Sequence, residues 1–288
     1  MRAYNNVSMK GRLYNYAVKE VEYNGKPALS GTITLEVDED GTTVDVQYYA
    51  NPTYNNGSPN KTYGILKDIY DGNKKAVTEY PDAADWLDLQ GAVDVSYFVP
   101  KGQSATSIDD LVRAQKIRGS FINPNKLQKY NNKWKIDMII TKVEEVEADP
   151  ERQLERYALV KGYILNDYFK RATEVQMDAR SEAAINYLLN LDVSPENPYY
   201  VSTWGKIGQI KTVIEQKSAF GDDEVIEREM KRWILTSMAQ EPYPIGDVMG
   251  ITEEELKTAK EKLIEYKEQS LEKALEKAKE SERQNLAF

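Results

Sequence analysis

The chain has 288 residues, 41% apolar and 30% charged, with a formal net charge of -9 and neither cysteine nor histidine. That length accommodates two ordinary domains with real cores. The missing residue types exclude disulfides, thiolate nucleophiles, histidine general bases and the common zinc ligand sets, and the acidic total means that any site for a polyanion must be local.

Among the 47 Asp and Glu no pair stands out by spacing as a catalytic dyad, so binding rather than catalysis is expected, with no cofactor and no metal. The opening Met1-Arg2-Ala3-Tyr4-Asn5-Asn6 lacks an apolar signal region. No run approaches the roughly 18 apolar residues of a membrane span. A soluble cytoplasmic chain without a membrane partner is the expectation.

From Ser8 to Val146 the apolar residues alternate with period two: Met9, Gly11 and Leu13; Ile33, Leu35 and Val37; Val44, Val46 and Tyr48; Leu87 to Tyr97; Trp134 to Ile140. This predicts five half-buried strands. Asp38-Glu39-Asp40-Gly41 separates the second and third as a hairpin turn, since Asp and Gly supply the left-handed backbone such turns need. Lys61 to Tyr70 places Ile65, Leu66 and Ile69 on one helical face and stops at Asp71-Gly72. Three strands, a helix and two strands is the element order of the five-stranded OB barrel.

The second half echoes the first. Val160-Lys161-Gly162 resembles Met9-Lys10-Gly11, a helix capped by Ser181 follows a strand at 174–179, Gly205 and Gly208 interrupt a long strand as Gly91 does, and Arg232-Trp233 matches Lys133-Trp134. The expected duplication superposes residues 8–146 on 157–240, with Trp134 over Trp233 and helix 61–70 over 181–190.

The predicted fold is therefore mainly β with helices, two tandem OB-like barrels followed by a C-terminal helix. Residues 1–146 form the first barrel with a long basic insert at 101–133, 147–156 a linker, 157–250 a smaller barrel whose second hairpin is trimmed, and 251–288 the helix and tail. Thr252 and Glu255 form a capping box for that helix, and its thin stripe of Leu256, Ala259, Leu263, Tyr266 and Leu271 predicts docking followed by a frayed end, as an appendage removable without unfolding.

Insert 101–133 carries seven basic residues against Asp109 and Asp110, a local charge of +5. Phe121 and Tyr130 lie inside it, the mixture of cations and π-faces that single strands require. Strand parity turns Arg12, Tyr14, Gln47 and Tyr49 outward if Gly11, Leu13, Val46 and Tyr48 face in. Lys19, Tyr23 and Lys26 occupy the loop between strands one and two, and Tyr54, Tyr63 and Tyr168 sit in polar contexts. The candidate nucleic-acid contacts are Arg12, Tyr14, Lys26, Tyr49, Tyr54, Lys101, Arg113, Lys116, Arg118, Phe121, Lys126, Lys129 and Tyr130. Trp134 and Trp233 read as core, and Phe220 stands beside acidic Asp222, Asp223 and Glu224, which argues against a second strong phosphate site.

Asn6-Val7-Ser8-Met9-Lys10-Gly11-Arg12-Leu13, the OB element order, the absence of cysteine and the basic stretch before Lys133-Trp134-Lys135 together resemble the single-stranded-DNA-binding proteins of tailed bacteriophages over roughly residues 5–245. The resemblance implies coating of exposed single strands in replication and recombination. Many such proteins end in an acidic tail with a terminal aromatic that recruits partner enzymes; Phe288 matches the aromatic, whereas Ser281 to Asn285 is no acidic run. Replication or recombination proteins met through the C-terminal helix are the expected protein partners. The alternatives are an OB-type protein-interaction module of such a complex and a virion or assembly component.

Overall fold

The computed structural model describes residues 4–23, 25–166, 170–216, 220, 224–244 and 251–286. Tyr168, Asp222, Asp223, Phe288 and the side chains of Tyr23 and Glu224 lie outside what is described.

Each strand one is long and bent, and this closes each sheet on itself. In β1 (Asn5–Tyr23) the first half, Val7 to Arg12, pairs with β4 (Trp86–Phe98), while Arg12 to Tyr23 pairs with β2 (Lys26–Glu36). A bulge between Leu13 and Asn15 marks the change of partner. Bulges of this kind bend a strand and raise its twist. β3 (Thr43–Ala50) follows β2 across a turn in which Gly41 has φ 79°, as the Asp-Gly signal required. The ring closes where β3 runs parallel to β5 (Val112–Pro124) and β5 antiparallel to β4.

The second ring repeats that order with β6 (Asn131–Val146), β7 (Tyr157–Asn166), β8 (Arg171–Ala179), β9 (Tyr199–Gln216) and β10 (Glu224–Met238). β6 pairs with β9 and then β7, with its own bulge between Ile140 and Lys142, and β10 meets β8 in parallel at Ile234 and Asp178. The two rings join where Asn5 to Lys10 of β1 pairs antiparallel with Asn131 to Ile136 of β6.

Helices α1 (Lys61–Tyr70) and α2 (Glu182–Leu189) hold equivalent places between strands three and four of their rings. Asn60 caps the first and Ser181 the second, each accepting backbone N–H bonds from its helix's first turn, and Leu66, Ile69, Ile185 and Leu188 seal the ring cores. Gly91 and Gly205 are likewise equivalent. A Cβ would stand 2.4 Å from the Arg118 carbonyl at the first and 1.9 Å from the Ile234 carbonyl at the second, so both strands require glycine opposite the bulge of their neighbour.

The structure corrects the expected boundaries by one strand. The middle of the basic insert 101–133 is not a loop: Val112–Pro124 is strand five of ring one. Trp134 consequently opens strand one of ring two, and Lys161-Gly162 lies in strand two. The hairpin expected to be trimmed is complete, as β7 and β8 pair from Ala158–Ala179 to Asn166–Arg171. Trp134 and Trp233 are not counterparts in a repeat. They face one another inside ring two, centroids 6.1 Å apart, Trp134 wholly buried and Trp233 packed against the same core.

The last helix, α3 (Glu253–Leu286), starts at the expected capping box: Thr252 Oγ1 accepts from Glu255 N at 3.1 Å, and a Glu255 carboxylate oxygen accepts from Thr252 N at 3.0 Å. That backbone bond holds the Glu255 carboxyl below its ordinary range. It is no appendage. Ile251, Leu256, Ala259 and Leu263 are buried against Leu165 and Ala172 of ring two and Val95 and Tyr97 of ring one. Beyond Tyr266 the helix runs outward, with Leu275 exposed.

Two strands, one from each ring, meet beneath it. Arg171 Nη2 of β8 lies 3.1 Å from Asp94 Oδ1 of β4, both side chains almost wholly buried, and the guanidinium lies 3.6 Å from the centre of the Tyr266 ring. The Tyr97 hydroxyl donates to Glu174 at 2.6 Å, and Lys267 Nζ reaches the other Glu174 oxygen at 3.0 Å. Burial, followed by Glu174, pushes the Tyr97 phenol well above its ordinary range.

Candidate nucleic-acid interface

Alternation along β2, β3 and β5 sends one set of side chains into ring one and the other to its outer face. The outer set, Ser30 and Thr32, Gln47 and Tyr49, Lys116 and Arg118, lines an open groove of about 1010 Å³, with Tyr54 at one rim and Asn166 of β7 also in its wall. This is the strand two–three face on which OB barrels bind oligomers.

The floor of the groove is fixed. Tyr48 points inward, 3% exposed, and its hydroxyl donates to the Phe121 carbonyl at 3.0 Å. Gly119 lies directly over that ring, since a Cβ there would fall 2.2 Å from two ring atoms. Burial pushes the Tyr48 phenol far above its ordinary range, so it stays neutral. The following Ser120 has no partner residue in β4, where the register shifts between Gln90 and Gly91. This bulge turns Phe121 outward on β5, half exposed, while Ile122 returns to the core.

Tyr54 is held by its loop. Its N–H donates to the Ser58 carbonyl and its carbonyl accepts from Gly57, both at 2.9 Å, while Asn60 ties the loop base to Pro52 and Asn51. Tyr49 and Tyr54 are 47% and 41% exposed, which leaves aromatic surface beside cations on a preorganised frame. Lys116 stands across the ladder from Asp94, whose charge Arg171 offsets. Lys116 and Arg118 thus bring two basic side chains to the groove wall.

The other candidates lie elsewhere. Arg12 is committed to Glu36, with Nε at 2.9 Å and Nη2 at 2.6 Å from one carboxylate oxygen, and its Nη1 donates to the Pro81 carbonyl. Tyr130 donates to the same Glu36 oxygen at 3.0 Å and packs on Trp86, centroids 4.8 Å apart. The Glu36 bond raises Arg12 above its ordinary range; burial and then Glu36 raise Tyr130. Both are supports of ring one. Tyr14 is half-buried at the β1 bulge. Lys26 at the start of β2 and Lys101, Lys126 and Lys129 in loops are exposed outside the groove, and Arg113 lies half-buried at the cleft between the rings. Ser30, Thr32 and Gly119 were not singled out by the sequence, though parity along β2 puts the first two on the same face as Gln47 and Tyr49.

The part of the corresponding face of ring two formed by β7 and the start of β8 is covered. Tyr163, Leu165, Ala172 and Glu174 point outward from β7 and β8, and α3 lies over them, with Lys260 Nζ 5.2 Å from the Tyr163 ring centre and Lys267 on Glu174. Among the described residues no group of acidic side chains could hold a metal ion, and no helix is long and apolar enough to cross a membrane.

Among solved structures, the chain is similar in fold to the wild-type single-stranded DNA binding protein from Thermus aquaticus. The TM-score is 0.50 and the identity 12%, over 87% of this chain and 98% of that one. A replication protein A heterotrimer bound to ssDNA matches at a TM-score of 0.21 and 10% identity, over 80% of this chain and 49% of that one. No curated protein matches the sequence. The family model described as YorF matches residues 3–283, nearly the whole length, and the chain belongs to the YorF family.

Proposed function

We propose that the groove of ring one binds single-stranded DNA with little regard for sequence, and that the protein serves bacteriophage DNA replication and recombination as a non-enzymatic, cytoplasmic strand-binding protein. The observation that carries this reading is the placement of exposed Tyr49 and Tyr54 beside Lys116 and Arg118 in one open groove. Aromatic faces accept unstacked bases of any identity and cations track the phosphates. The covered face of ring two leaves ring one as the principal strand contact. Partner proteins of replication or recombination would meet the outer half of α3, where Leu275 is exposed.

Fluorescence titration with oligothymidylate over a range of salt tests this. The parent should bind with log K falling linearly with log salt. Changing Lys116 and Arg118 together to Ala should weaken binding and flatten that line by about 1.4, at roughly 0.7 for each phosphate no longer neutralised. An unchanged slope in the folded double variant would make the groove a protein-binding face instead.

A further inference from the structure

A second polar cleft lies outside this groove. It occupies about 190 Å³ where β8 meets β10 on the outer face of ring two, walled on the other side by Arg113 and Gln115 of β5. At roughly 30 Å³ per water that is room for a small oxyanion.

Its charges do not balance. The buried Asp178 carboxylate, 3% exposed, is shared by two guanidiniums: Arg180 Nη2 at 3.0 Å and Arg232 Nε at 3.9 Å, the latter beyond hydrogen-bond reach. Lys231 in the same wall is paired with Asp45 of ring one at 2.9 Å. Glu174, on the far side of Arg113, is taken by Lys267 and Tyr97. Arg113, Arg180, Lys231 and Arg232 thus face two carboxylates, an excess of two positive charges. Donors are also in excess. Among the described residues the buried Arg232 Nε, Arg180 Nε and Gln115 Nε2 have no hydrogen-bond acceptor, although Gln115 Oε1 is fixed by the Gln176 N–H at 3.0 Å. Buried donors without acceptors are rare, and one explanation for them is an ion that belongs at the site.

We infer that this cleft is a phosphate-binding site, in which Arg232, Arg113 and Gln115 share the oxygens of one phosphate group while Arg180 keeps Asp178. A tetrahedral oxyanion presents acceptors in several directions at once, as donors converging from two different rings require. The phosphate could come from inorganic phosphate or from the backbone of a nucleic-acid strand. The first arm of the test involves no nucleic acid, so its failure is separate from any failure of the groove reading.

In that arm the full chain is titrated calorimetrically with inorganic phosphate at fixed ionic strength, with chloride as the reference. Saturable binding is expected, weakened at least fivefold by Arg232→Gln and by Gln115→Leu, each with the parent's circular dichroism and its thermal midpoint in chloride. Oligothymidylate separates the two sources. A strand that displaces phosphate, with a salt slope reduced by about 0.7 in Arg232→Gln, assigns the site to the backbone. A strand that leaves the phosphate titration unchanged assigns it to the free anion. Absence of saturable phosphate binding in the parent, or parental affinity in either folded variant, would overturn the inference.

Discussion

A chain shortened to residues 1–250 should lose much of its stability. Ile251, Leu256 and Leu263 are buried against both rings, and burying a side chain of this size contributes about 1.5–3 kcal/mol. Together they give roughly 5–9 kcal/mol, an upper bound, because the unfolded chain already covers part of this surface. Whole proteins have only about 5–15 kcal/mol. At about 2–4 °C per kcal/mol the midpoint should fall by 10 °C or more, with uptake of an apolar dye on the uncovered Val95, Leu165 and Tyr200. A chain ending at Ser270 retains all of this packing and should melt with the parent. If the 1–250 chain melts with the parent too, α3 lies outside the cooperative core.

Arg171→Ala should be among the most damaging single substitutions. It strips the buried Asp94 of the guanidinium that pairs with it, and breaking a buried pair in this way costs about 3–5 kcal/mol. It also removes the cation beneath the Tyr266 ring and so loosens α3. Urea unfolding gives the size directly. Replacing both members, with Arg171→Met and Asp94→Leu, removes the stranded charge and should recover most of the loss. A single variant as stable as the parent would show that the pair does not hold the rings together.

How much of this was legible in the sequence depended on how regular each element is. Both ring helices, the Asp-Gly hairpin and the Thr252–Glu255 capping box fell where caps and turn residues placed them, because these signals act over a few residues. Strand β5 escaped because Val112–Pro124 sends only Ile117 and Ile122 fully inward, and the Ser120 bulge breaks the period between them. Missing that strand pushed β6 into the wrong ring, and the matches of Lys161-Gly162 to Lys10-Gly11 and of Trp233 to Trp134 slipped with it, while the two helices and Gly91 with Gly205 stayed in register. The local resemblance of Lys133-Trp134 to Arg232-Trp233 then looked like repetition, where the structure has two tryptophans packed on each other.

The same divide runs through the candidate interface. Parity along β3 turned Gln47 and Tyr49 outward, since alternation needs only a regular strand, whereas Lys116 and Arg118 were found by the local excess of charge alone. Parity also turned Arg12 outward, and there it misled. Glu36, 24 residues away in sequence, claims its guanidinium, a pairing set by ring closure and invisible in a local pattern. The covering of ring two was equally hidden. The thin stripe of α3 predicts that the helix docks, but nothing in its spacing says that it lies on β7 and β8.

Photocrosslinking tests the central claim most directly. Oligothymidylate carrying bromouracil at each position in turn, bound to the full chain and irradiated, should mark peptides containing Tyr49, Tyr54 or Phe121, the exposed aromatic residues on or beside the ring-one groove. Adducts confined to ring two or to α3, under conditions where the strand is fully bound, would contradict the assignment of the groove as the strand-binding face.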